Sequence, residues 1–345
     1  MAVAIITDSA AALPPELIER HRIGVVPMWL TIGGESVREG DVPLESLLDR
    51  HDVTTSGPTP GEFEAAIKER MQEPDVDAIV VCTIAATMSS THEAAVLGAR
   101  AAGGPVRVID TATAAGAQGL VVLAAASAAG AGKSADGVEA VARDAIDRVR
   151  LIAMVPTLDH LVRSGRVPNI AGWAGKRLGI APLFEFRDGG AHPMRPSRGS
   201  DAALDRIVSH WRRSRVDGAR LHVAALHARA PDAAQRLLDA VQAEAEPQTA
   251  FSASFGTVMV VHTGPGLVGL AWWWEPNPTV FERISPNEGA ISANLVRRRG
   301  RGSRRRSGGP LRSTAVRRRG RARRRCRCVT GSSRRRATRP HRARG

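Results

Sequence analysis

Short apolar, β-branched runs alternate with helix-like segments through the first half of this 345-residue chain. Strand candidates fall at 3–7, 23–30, 78–83 and 106–109; helix candidates fall at 15–21, 44–50, 61–71, 91–101, 115–129 and 135–149. Apolar strands of that length, separated by helices, predict a mainly parallel sheet flanked by helices on both faces. A change comes near Arg150. Beyond it lie a strand-like run at 151–155, a helix start at 158–161 and a hairpin-type turn at Arg187-Asp188-Gly189-Gly190. Further segments at 202–212, 221–226, 232–245, 258–262 and 266–274 complete a second, smaller mixed α/β unit, with 258–262 and 266–274 read as strands. The fold class expected is α/β, with an N-terminal domain over 1–150, a C-terminal α/β domain over 151–280 and a tail over 281–345.

The tail accounts for the charge. Residues 297–345 hold 22 Arg and no Lys, Asp or Glu, so a whole-chain charge of +15 leaves −7 on residues 1–296. A nucleic-acid reading therefore attaches to the Arg tail only. Arg, Gly and Ser without apolar periodicity cannot fold alone, so this stretch is a disordered basic arm or a spurious, out-of-frame extension.

Cys82 sits in an apolar run and reads as an inert core thiol. Cys326 and Cys328 form a lone C-x-C with no second ligand pair, which does not make a zinc site. The first residues lack a basic leader region and read as a strand. Residues 111–132 carry no charge but are dominated by Ala and Gly, which predicts a buried helix and not a membrane span. A cytoplasmic protein without stable membrane insertion is expected.

Three polar stations stand out. The first is Thr54-Thr55-Ser56-Gly57-Pro58-Thr59, read as a loop immediately before a helix whose first turn suits Pro60. Hydroxyl donors ahead of a helix N-terminus dock a carboxylate or a phosphate; the same residues read also as a helix-capping turn. The second is Thr87-Met88-Ser89-Ser90-Thr91-His92-Glu93, with Ser89 or Ser90 as a cap and the same two readings. The third is His262-Thr263-Gly264-Pro265-Gly266, where a histidine at the end of an apolar run meets a tight turn; it reads as a donor to a bound acid or as a locally satisfied turn histidine.

No catalytic set, nucleotide loop or metal-ligand spacing accompanies these stations, and no cofactor is expected. Donors for an anion beside apolar walls, without acid–base machinery, point to a binder. An enzyme or phosphoryl-transfer component acting on a small polar substrate in the same cleft is the alternative.

In order, Thr7-Asp8-Ser9, Thr54-Thr55-Ser56-Gly57-Pro58, the 87–91 loop, Leu161-Val162-Arg163-Ser164-Gly165-Arg166, the 182–189 segment and His262-Thr263-Gly264-Pro265-Gly266 resemble the DegV family of bacterial fatty-acid-binding proteins. The likeness runs from about Val3 to Trp274. It implies a two-domain α/β protein whose tunnel takes a long-chain fatty acid. It further implies a non-catalytic subunit that presents the carboxylate to a separate ATP-dependent fatty acid kinase subunit for acyl phosphate formation. By that resemblance the carboxylate falls to Thr54, Thr55, Ser56, Thr87, Ser89, His262 and Thr263, and Arg166 contacts the partner or the developing phosphate. One departure stands in the segment Ala85-Ala86-Thr87-Met88-Ser89-Ser90-Thr91. The serine that holds the carboxylate in the family matches Ala86 here, so either Thr87 or Ser89 takes over or the head group sits differently. His92 stands where the family often has an aromatic residue.

Overall fold

The computed structural model describes residues 2–47, 50, 52–165 and 179–277. The strands are β1 (Ala2–Asp8), β2 (Gly24–Val26), β3 (Trp29–Ile32), β4 (Glu35–Arg38), β5 (Val53–Ser56), β6 (Val76–Thr83), β7 (Val106–Asp110), β8 (Arg150–Met154), β9 (Ile180–Arg187), β10 (Gly190–Arg198), β11 (Arg220–His227), β12 (Thr249–Ser254) and β13 (Val268–Glu275). The α-helices are α1 (Pro15–Arg20), α2 (Pro60–Met71), α3 (Thr91–Ala102), α4 (Ala115–Gly130), α5 (Ala135–Arg148), α6 (Asp159–Ser164), α7 (Gly199–Arg213), α8 (Pro231–Gln242) and α9 (Thr257–Thr263).

The apolar runs of the first half form a four-stranded sheet in the order β2-β1-β6-β7, parallel at every described pairing. Ile5, Ile6, Ile79, Val80 and Val81 are buried because both faces of that sheet are covered. The second half forms a mixed six-stranded sheet in the order β10-β9-β8-β13-β11-β12. Helices α2 and α3 pack outside the parallel sheet, α7 and α8 outside the mixed sheet, and α4 with α5 lies between the two sheets. Helix α4 is the charge-free Ala- and Gly-rich segment, and it is buried on almost every side. Its small side chains let strands from both sheets approach it, which is why it lacks the polar face of a surface helix. Among the described residues, no helix is long and apolar enough to cross a membrane.

Several local expectations are corrected. The strand expected over 23–30 breaks at Pro27, which has no N–H for a ladder. Its first part, β2, joins the parallel sheet, while β3 pairs with β4 and β5 in a separate three-stranded antiparallel sheet. Residues 54–56 are thus a strand and not a loop. The expected helix over 44–50 is, among its described residues, a single 3₁₀ turn at Leu44–Ser46. The run at 258–262, read as a strand, is helix α9: Thr257 to Val260 and Thr263 are all buried, so no period distinguishes helix from strand there. Strands β4 and β12 were not anticipated. The turn at 187–190 is a two-residue β-hairpin, with Arg187 opposite Gly190 and Asp188 and Gly189 both left-handed at φ 52° and 72°.

Candidate functional site

The three stations come from distant parts of the chain, and the fold brings two of them into direct contact. Strand β5 carries Thr55, helix α9 carries His262, and Thr55 Oγ1 lies 2.7 Å from His262 Nε2. Either group can donate in this hydrogen bond. With Nε2–H donating, the hydroxyl proton of Thr55 is left to point at an incoming oxyanion.

Two cavities meet at this pair. The inner one, of about 290 Å³, lies beyond the carboxyl ends of the parallel strands, with Ile84 just past β6 in its wall. Met28, Met88, Leu161, Val258 and Met259 make the rest of its apolar lining, and Thr55, Ser56, Ser89, Ser90, His262 and Thr263 supply the polar groups. The outer one, of about 380 Å³, has a mixed lining: Thr54, Thr55, His262, Arg50, His160 and Arg163 stand beside Leu44, Leu47, Val53, Val260 and Val261. Thr55, Ser164 and His262 border both.

The second station reaches the inner cavity through the start of α3. Ser89 Oγ pairs with Thr91 Oγ1 at 2.7 Å and accepts from the Thr91 backbone N–H at 3.3 Å. Gly57, at the end of β5, packs so closely here that a Cβ on it would lie 2.5 Å from Thr91 Oγ1. The amino end of a twelve-residue helix therefore faces the same space as Thr55 and His262, and its dipole favours an anion.

The remaining expected residues take other places. Thr87 lines neither cavity; its hydroxyl donates to the Gly189 carbonyl at the tip of the β9–β10 hairpin. The same tip donates from Gly189 N–H to the Ala112 carbonyl at 3.0 Å, so it ties the mixed sheet to the loops above the parallel sheet. Ala86 is exposed and lines neither cavity. Thr54 is exposed and borders only the outer cavity, and Ser56 only the inner. Thr263 lines the inner cavity, but its hydroxyl donates back to the Met259 carbonyl at 3.0 Å, so toward a ligand it can only accept. Thr59 supplies the capping turn: with Glu62 it forms a reciprocal capping box on α2, with Pro60 in the first turn. Arg166 lies outside the described residues, as does the Arg tail.

A polar brace behind the site holds α9 in place. Glu39, just past β4, accepts from the Val258 backbone N–H at 2.9 Å and from the Ser9 hydroxyl. Ser9 Oγ in turn accepts from the Met28 N–H at 3.0 Å. Next to it, the fully buried Asp8 accepts from Ile84 N–H at 2.8 Å and from Ala10 N–H at 3.1 Å. Burial pushes the Asp8 carboxyl up to about 6, against the opposing pull of these hydrogen bonds. Thr7, Asp8 and Ser9 line neither cavity and fix the elements that do. Burial likewise pushes the Cys82 thiol up to about 12, the state of an inert core cysteine.

Sequence reasoning missed Glu39, Met28, Met259 and His160 as contributors. Met28 follows a proline in an irregular link, Met259 sat in a run read as a strand, and a lone Glu or His carries no spacing signal. Among the described residues, no group of three or more His, Cys, Asp or Glu is placed to hold a metal ion.

A family model for uncharacterised proteins of the DegV family matches residues 2–275. The chain belongs to the DegV family. This DegV chain is 36% identical over 274 residues to a DegV domain-containing protein of Streptomyces coelicolor, covering 78% of this chain and 97% of the relative. It is 27% identical over 281 residues to a fatty acid-binding protein of Thermotoga maritima, covering 78% and 96%. Its fold superposes on a fatty-acid-binding DegV family protein from Thermus thermophilus with a TM-score of 0.74 at 27% identity, covering 79% of this chain and all of that one. The mixed α/β arrangement, with its parallel sheet flanked by helices and its further sheets, is thus that of DegV proteins, and the covered part of this chain corresponds to nearly the whole of each relative.

Proposed function

We propose that this protein binds a long-chain fatty acid, with the acyl chain in the inner cavity and the carboxylate at its polar end, between Thr55, His262 and the start of α3. The observation that carries the reading is the Thr55–His262 pair at the junction of two cavities, the inner of them mainly apolar. Its support from relatives is that DegV proteins of Thermotoga maritima and Thermus thermophilus are fatty-acid binders by name. Each methylene removed from water contributes about 0.8 kcal/mol, so the chain supplies affinity while the polar groups fix orientation. Ser56 and Ser89 are the hydroxyls best placed to add a second contact to the head group. Thr87 is held by the hairpin tip and is left out of the head-group set.

The protein has no acid–base set of its own in this reading. It serves as the non-catalytic subunit that offers the carboxylate to an ATP-dependent kinase subunit, which makes the acyl phosphate; the outer cavity is the side from which the phosphoryl group arrives. That partnership rests on the family resemblance, and so does a role for Arg166.

Mass spectrometry of ligand extracted from the purified protein tests the binding step. A long-chain acid in near-stoichiometric amount is expected; protein purified from a lipid-replete host without any acyl chain overturns the reading. Phosphorylation of the bound acid when a DegV-linked kinase subunit and ATP are added tests the second step separately.

A further inference from the structure

Seven methionines occur in the 345 residues, and three of them, Met28, Met88 and Met259, line the inner cavity. They arrive from three different places: the link between β2 and β3, the loop before α3, and α9. Met28 and Met259 are buried and Met88 is half-buried. The chamber they share is about 290 Å³, at the foot of the roughly 300–1,000 Å³ range of small-molecule sites. A long acyl chain that fills such a space packs directly against these side chains, so their adaptability decides which chain shapes fit.

Which side chains can move follows from their chemistry. Val258 is β-branched and sits in a helix, where one χ1 rotamer dominates. Ile84 is β-branched as well. Methionine is unbranched, has three rotatable bonds beyond Cα and a polarisable sulfur, and it repacks around differently shaped partners at little cost. The adaptable part of the lining is therefore the methionine set, spread over three walls and not confined to one. A straight chain and a kinked chain displace different members of the set.

We infer that Met28, Met88 and Met259 make this site permissive, so that it accepts straight saturated, cis-unsaturated and methyl-branched acyl chains with similar affinity. The inference rests on the fatty-acid reading of the same cavity, and it adds the substrate range and the residues that set it.

The test uses the full chain, stripped of endogenous lipid, and three probes: stearic acid, oleic acid and an anteiso-branched acid. The expected wild-type dissociation constants lie within about threefold of one another, which is less than roughly 0.7 kcal/mol. The M28L/M88L/M259L variant keeps volume nearly constant and removes the flexible termini. It is expected to hold one probe near wild-type affinity and to separate the others by about tenfold or more, roughly 1.4 kcal/mol.

Methyl NMR on wild-type protein labelled at methionine gives a second readout that needs no variant to fold. The three cavity methyls are expected to shift differently with stearic and oleic acid, while those of Met71, Met154 and Met194 move little. A wild-type protein that already separates the probes tenfold overturns the inference. So does a triple variant with an unchanged flat profile, or a set of cavity methyls that answers identically to both acids. Failure to bind any probe overturns the fatty-acid reading itself, and that outcome is distinct from the others.

Discussion

Thr55 and His262, 207 residues apart in sequence, share a 2.7 Å hydrogen bond that joins the three-stranded sheet to helix α9. The pair sits where the two cavities meet. Its polarity is useful only to a ligand with a charged or strongly accepting end. In the proposed complex, His262→Ala is therefore expected to weaken a fatty acid by about 1.5–3 kcal/mol, the range for hydrogen bonds to charged groups. The alcohol of the same chain length should lose about 1 kcal/mol or less, the range for a neutral pair. Calorimetric titration of both ligands against both proteins checks this; equal losses would remove His262 from head-group recognition.

Glu39 holds the helix that carries His262. Its two carboxylate oxygens accept from the Val258 N–H at the start of α9 and from the Ser9 hydroxyl beyond β1. Glu39→Ala leaves the Val258 N–H without this acceptor in a part-buried setting, and a loss of about 1–3 kcal/mol in unfolding free energy is expected. Glu39→Gln keeps an acceptor for Val258 and should recover most of that loss. Chemical denaturation of the two variants measures it. An Ala variant as stable as wild type would show that α9 is held by its apolar contacts alone.

Asp8 gives the protein a pH dependence of unusual sign. Its folded value stands near 6 against an ordinary 3.8, chiefly because burial disfavours the carboxylate. Between these values the folded protein retains a proton that the unfolded chain has released. Its contribution to stability is therefore full below about pH 4, falls as pH rises, and is gone above about pH 6. The shift corresponds to about 3 kcal/mol over that window. Asp8→Asn cannot titrate, so the wild-type-minus-variant difference in unfolding free energy should decline from pH 4 to pH 6 and stay level above it. A difference that stays flat or rises across that window would contradict the burial argument.

The parallel sheet was legible because Ile5, Ile6, Ile79, Val80 and Val81 are short, β-branched apolar runs with turn residues at their ends, the pattern of strands buried on both faces. Helix α4 was legible for the opposite reason: Ala and Gly without charge fit a helix packed on both sides. Helix α9 was not, because Val258, Met259 and Val260 are buried together and leave no periodic trace. Strand β5 was misread since Thr-Thr-Ser beside Gly-Pro has the composition of a turn, and only pairing with β3 makes it a strand. Thr87 shows the limit at the site: its residue type suits an anion contact, yet a hairpin tip from 102 residues away occupies its hydroxyl. Such long-range partners leave no local mark.

The last prediction concerns how closely β5 and α3 approach. Gly57 faces Thr91, whose side chain is fully buried, and a Cβ at Gly57 would stand 2.5 Å from Thr91 Oγ1 and 3.3 Å from Ser89 Oγ. Thr91 Cα lies 3.5 Å from the same point, so the backbone leaves little room to retreat. Gly57→Ala is expected to cost about 1–3 kcal/mol through overpacking and to push the start of α3 away from Thr55. Fatty-acid affinity should fall with it, because Ser89 and the helix terminus withdraw from the head group. Thr91→Ala removes the clashing oxygen and alone should be mildly destabilising. The double variant should then be more stable than the sum of the single losses allows, and such coupling in a double-mutant cycle separates a direct clash from a general effect of alanine in the turn. Strict additivity of the two losses would mean that the space at Gly57 is not what sets the distance between β5 and α3.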